Sequence, residues 1–127
     1  MATGDNAVLT RASVTFHTND EDKDNDTDVQ VVVKLIDGST VANIDDAFAH
    51  FDDNTDAGPF DLIISKTATR GELKTGNVMI KIAPNGNDTW RMNFFVDLFF
   101  EDGAHLLARA NGLELTESRT TLSFGIE

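Results

Sequence analysis

Alternation of apolar and polar residues dominates the chain. Over 8–16, Val8, Ala12, Val14 and Phe16 share one parity with Thr10, while Leu9, Arg11, Ser13, Thr15 and His17 share the other. Period two of this kind predicts a half-buried strand. Val29, Val31, Val33 and Leu35 repeat the scheme, with Gln30 and Lys34 opposite. Asp37-Gly38 follows, a dipeptide suited to a two-residue hairpin turn in which both central positions take φ > 0. Residues 39–44 read as the returning strand. Phe60, Leu62 and Ile64 alternate with Asp61 and Ile63, and Val78, Ile80 and Ile82 with Met79 and Lys81. The longest run spans 90–101, with Trp90, Met92, Phe94, Val96, Leu98 and Phe100 on one face. Asp102-Gly103 turns it back through Leu106 and Leu107 towards Asn111-Gly112, a second turn signal. Leu122, Phe124 and Ile126 close the chain in step.

About eight short strands separated by turn signals predict an all-β fold, a two-layer antiparallel β-sandwich. The one helix candidate is IDDAFAHF, 44–51, with Asp45 or Asp46 near its N-terminus. No linker or composition shift divides the 127 residues, so 1–127 reads as a single domain with one core. Nine Phe and 40% hydrophobic content support a packed globule.

Charge changes this picture. There are 22 acids against 10 basic residues, a net charge of −12. The basic residues are dispersed, and no basic stripe supports nucleic-acid binding. No Cys is present, which removes disulfides, thiolate catalysis and cysteine-ligated zinc. No run reaches the length of a transmembrane helix, and the first residues lack the basic and apolar regions of a signal peptide.

The acids are concentrated. DEDKDNDTD, 20–28, holds six acids in nine positions between two well-marked strands. Asp45-Asp46, the run FDDNTD and the run PNGND are further oxygen-rich connections. Loops from alternate connections of a sandwich collect at one end, so these segments are expected to converge. Asp22, Asp24, Asp26 and Asp28 fall at spacing two, which places alternate side chains on one side of an extended loop. Calcium takes six to eight oxygen ligands in flexible geometry and suits such a set, with magnesium second because of its stricter octahedral demand. The alternative is a solvated acidic surface. The stretch is not an EF-hand: the sixth loop position is Thr27 rather than Gly, and the twelfth is Val33 rather than Glu. Asn25-Asp26-Thr27 and Asn87-Asp88-Thr89 also match the glycosylation acceptor pattern.

Phe16-His17-Thr18, then KDNDTDVQVVVKL, then Asp37-Gly38 resembles the opening of the PLAT (lipoxygenase homology) domain, most nearly the calcium-binding C-terminal domains of clostridial phospholipase C toxins. GPFDLII at 58–64 resembles the strand after that family's central loop. NVMIKIAPNGNDTW at 77–90 and VDLFFEDG at 96–103 resemble its late strand, calcium loop and hairpin. The likeness runs from about residue 10 to residue 103. Asp26 stands where the family's Gly-Thr-Asp element has Gly, which adds a carboxylate and removes backbone freedom. The resemblance implies a PLAT/C2-like sandwich. It also implies calcium ligands at Asp24, Asp26, Thr27 (through its carbonyl), Asp28 and Asp88, with Asp45, Asp46, Asp52 and Asp53 in the central loop. The implied function is calcium-dependent attachment to membrane lipid. Calcium-dependent binding of a carbohydrate surface and calcium stabilisation of a structural protein are the alternatives. Extracellular operation is favoured, because modules of this kind rely on external calcium.

Other side chains carry less. Trp90 reads either as the first core residue of its strand or as a membrane-inserting tip, and its parity favours the core. Phe95 and Phe99 share the opposite face with Asp97, which suggests a covering loop, a partner contact or a concave ligand platform. His17, His50 and His105 are scattered, with no identifiable nucleophile beside them, so an enzyme is not expected.

Overall fold

Residues 6–21, 28–46, 55–83, 89–116 and 120–126 are described in the computed structural model. Among these residues, nine strands run in the order β1 (Leu9–Glu21), β2 (Asp28–Lys34), β3 (Thr40–Asp46), β4 (Thr55–Asp61), β5 (Ile63–Ile64), β6 (Asn77–Ala83), β7 (Thr89–Phe100), β8 (His105–Thr116) and β9 (Thr121–Gly125). One short helix, α1 (Arg70–Leu73), lies between β5 and β6. The strands form two sheets, a four-stranded one in the order β4-β1-β7-β8 and a five-stranded one in the order β5-β3-β2-β6-β9. Every pairing between named strands is antiparallel. The molecule is an all-β two-layer sandwich, as the alternation predicts.

The extra strand comes from 55–64, where the pattern suggests one continuous run. β4 pairs with β1 in one sheet, whereas Ile63 and Ile64 pair with β3 in the other. Leu62 is the crossing point. Its side chain is buried, and its N–H donates to the Ala12 carbonyl at 2.9 Å. Alternation continues through such a corner, so parity alone cannot reveal the change of sheet.

The core lies between the layers. Val29, Val31 and Val33 of β2 and Val78, Ile80 and Ile82 of β6 face Val14 and Phe16 of β1 and the even-numbered residues of β7, all buried. β1 departs from the predicted parity at its start. Leu9 is buried and Val8 only partly so, because the β1–β7 register shifts between Leu9 and Arg11. A bulge there leaves Thr10 outside and turns Leu9 inward.

Trp90 belongs to the core and not to a membrane-inserting tip. It is fully buried, its ring packs on Phe16 at 5.3 Å, and its indole N–H donates to Thr18 Oγ1 at 3.0 Å.

Both Asp-Gly sites form tight reversals, but not the two-residue type. At each, the Gly N–H donates to the carbonyl three residues earlier: Gly38 to Leu35 and Gly103 to Phe100. The turns therefore centre on Ile36-Asp37 and Glu101-Asp102. The glycines take the left-handed conformation at φ 87° and 85°. In both, the Asp Oδ1 accepts the N–H two residues on, from Ser39 and from Ala104.

Asn111-Gly112 does not reverse the chain. β8 runs straight through it, with Gly112 at φ 68° and a register shift opposite Asn93. It is a bulge. The predicted helix is also corrected: Ile44, Asp45 and Asp46 are strand, with Asp46 opposite Val29, and 47–51 lies outside the described residues. The helix that is described, α1, opens with a capping box between Thr69 and Glu72. That Thr-x-x-Glu signal is present in the sequence.

Candidate functional site

Two regions bear on function. The first is the end of the sandwich where the acidic connections meet the strands. Asp28, which starts β2, is opposite Ala83, the last residue of β6. Val29 is opposite Asp46, which ends β3. Glu21 at the end of β1 is opposite Arg91 near the start of β7, and Thr55 at the start of β4 is opposite Thr18. Thr89 is opposite Thr116, and Lys81 opposite Thr121. The strand ends that bound segments 22–27, 47–54, 84–88 and 117–119 therefore share one end of the sandwich.

Asp22, Asp24, Asp26, Thr27, Asp52, Asp53 and Asp88 lie outside the described residues. Asp28, Asp45 and Asp46 lie within them. Asp28 and Asp45 are exposed and are brought together with Gln30 and Lys81 around a concavity of about 160 Å³ on the outer surface of the five-stranded sheet. Asp46 stands at the same end of β3. Among the described residues, no group of three or more His, Cys, Asp or Glu side chains is placed to hold a metal ion. The Asp28–Asp45 pair alone supplies too few oxygens for calcium.

The second region is the outer face of the four-stranded sheet. Its rows follow the register. Arg11, Phe99 and His105 are one row, Ser13, Asp97 and Leu107 the next, then Thr15, Phe95 and Arg109. His17 and Asn93 pair beyond them. The two outward Phe differ. Phe99 is flanked by its neighbours: the Arg11 guanidinium lies 5.7 Å from the ring centroid, and the His105 ring stacks at 6.0 Å. Arg11 is held in turn by Asp61 at 2.9 Å. Cross-strand side chains thus cover Phe99, the role expected of a loop. The His105 ring also stands 3.6 Å from Asp97 Oδ1, a buried oxygen that has no hydrogen-bond partner among the described residues.

Among the described residues, Phe95 has no such cover. With Thr15, His17, Asn93, Arg109 and Asn111 it lines a concavity of about 200 Å³. The bulge in β8 shapes this hollow, since two residues there, Asn111 and Gly112, stand opposite Asn93 alone. Asn93 Oδ1 accepts the Gly112 N–H at 2.7 Å and holds the bulge in place. His17 is fixed through Nδ1 by Asp56 at 2.7 Å. Parity identifies Phe95 as outward. The residues around it come from three strands whose register the sequence does not display.

No family model matches the chain, and no curated protein matches it.

Proposed function

We propose that the protein is a calcium-dependent binding module that attaches to membrane lipid through the acidic end of the sandwich. One observation carries this reading. The strands that bound the Asp-rich segments begin and end at the same end, where Asp28 and Asp45 already face one concavity. The resemblance of residues 10–103 to the PLAT domain supports it. Calcium would offset the repulsion among the clustered carboxylates and bridge them to lipid phosphate. Asp28 is the described residue best placed to join ligands supplied by 22–27.

Thermal unfolding and lipid sedimentation together test the proposal. Calcium at a hundredfold excess over Kd stabilises a folded protein by about 2.7 kcal/mol. The melting temperature should therefore rise by several degrees in millimolar calcium, and sodium chloride of equal ionic strength should not reproduce the rise. Vesicles rich in phosphatidylserine should pellet the protein in calcium and release it in chelator. Asp28→Asn should weaken both effects. A melting temperature indifferent to calcium removes the metal; equal pelleting in calcium and chelator removes the lipid.

A further inference from the structure

We infer that the hollow around Phe95 is a second, metal-independent binding site, and that it takes a sugar acid: a pyranose ring carrying a carboxylate, within a short oligosaccharide. The site lies on the outer face of the four-stranded sheet and does not draw on the acidic end.

The lining determines the ligand class. Phe95 offers an aromatic surface beside polar groups, a combination suited to a ligand with one apolar face and a polar rim. A pyranose ring has both, with axial C–H bonds on its face and hydroxyls around its edge. The polar groups are available. Among the described residues, the side chains of Thr15 and Asn111 make no hydrogen bond, and His17 uses only Nδ1. A hydroxyl, an amide and an imidazole nitrogen therefore line the hollow without partners among the described residues.

Arg109 adds the charge. It is exposed, sits beside Phe95 across the β7–β8 pairing, and makes no ion pair or hydrogen bond among the described residues. This is unexpected in a chain with 22 acids and 10 basic residues. The other two arginines on this face are both paired, Arg11 with Asp61 at 2.9 Å and Arg91 with Glu114 at 2.7 Å. Guanidinium is the side chain best shaped for planar, bidentate recognition of carboxylate. Its place beside Phe95 in the lining of the hollow fits a ligand whose carboxylate projects from the ring edge. The protein's net charge of −12 opposes the approach of a long polyanion, so the occupant is an oligosaccharide of few residues.

A titration of the full chain in chelator, followed by amide chemical shifts, tests this. Trigalacturonate is the acidic probe and galactotriose the neutral one. Trigalacturonate should shift the amides of Asn93, Phe95, Arg109 and Asn111. It should bind at least tenfold more tightly than galactotriose. Arg109→Gln should erase that preference while leaving the melting temperature unchanged. Phe95→Leu, which keeps an apolar side chain but removes the ring, should weaken both probes. Equal affinity for the two sugars, shifts confined to other faces, a preference that survives Arg109→Gln, or a concentration-dependent dimer through this face would each overturn the inference. Chelator is present throughout, so the result is independent of the calcium reading.

Discussion

Trp90 joins a large apolar body to one polar atom, and the fold satisfies both. The ring packs on Phe16, and the N–H reaches Thr18 Oγ1 on the adjacent strand. Thr18 is itself one of two buried polar residues among those described, with only 1% of its surface exposed. Thr18→Val keeps the shape of the side chain and removes the acceptor. The substitution should lower stability by about 1–3 kcal/mol, the range for a buried polar group that loses its partner. Urea unfolding monitored by fluorescence measures it directly, and an unchanged midpoint would show that the bond contributes nothing net. Sequence reading placed Trp90 correctly because parity with Met92 and Phe94 is a local property. It could not supply Thr18, which lies 72 positions away.

At the scale of elements, the strands were legible and the devices that bend them were not. β2, β6 and β7 follow their apolar alternation almost residue by residue. Bulges and corners defeat the same rule. The bulge near Thr10 reverses the parity of Leu9, and the corner at Leu62 hides a change of sheet. Asn111-Gly112 shows why a dipeptide signal is ambiguous: a glycine with φ > 0 serves a bulge as well as a turn. The start of the helix expected over 44–51 is corrected for a related reason. Ile44 to Asp46 are claimed by pairing with β2, a tertiary effect that outweighs a short local pattern. Glycine substitutions separate two kinds of constraint. A Cβ at Gly103 would meet nothing within 4 Å, so Gly103→Ala should cost only the left-handed backbone penalty, about 1–2 kcal/mol. A Cβ at Gly58 would lie 2.8 Å from the Val14 carbonyl, and φ there is also positive at 116°. Gly58→Ala should therefore destabilise more than Gly103→Ala. Paired urea midpoints check the order, and the reverse ranking would refute the steric argument.

At the scale of the whole molecule, the fold separates two chemistries. Acidic connections leave one end, while the outer face of the four-stranded sheet carries three arginines and two outward Phe. The sequence showed the first as a run of letters. The second depends on register across β1, β7 and β8 and became visible only in three dimensions. That sheet also governs how the molecule assembles. β7 and β8 are joined by a short reversal, so Phe95 and Arg109 can meet early. β1 must pair with β7 across a far greater distance, as Thr10 and Phe99 are 89 positions apart. Closing such a loop is slow, and sandwiches rich in non-local pairings refold on the order of milliseconds to seconds. Trp90 is the only tryptophan and packs on Phe16 of β1, so its fluorescence reports that closure. After denaturant dilution its signal should lag behind the far-ultraviolet signature of the β7–β8 hairpin; simultaneous completion within the mixing time would contradict this order. Thr15 and His17 would then be the last pieces set beside Phe95, and a refolding chain would hold half a hollow until its first strand came home.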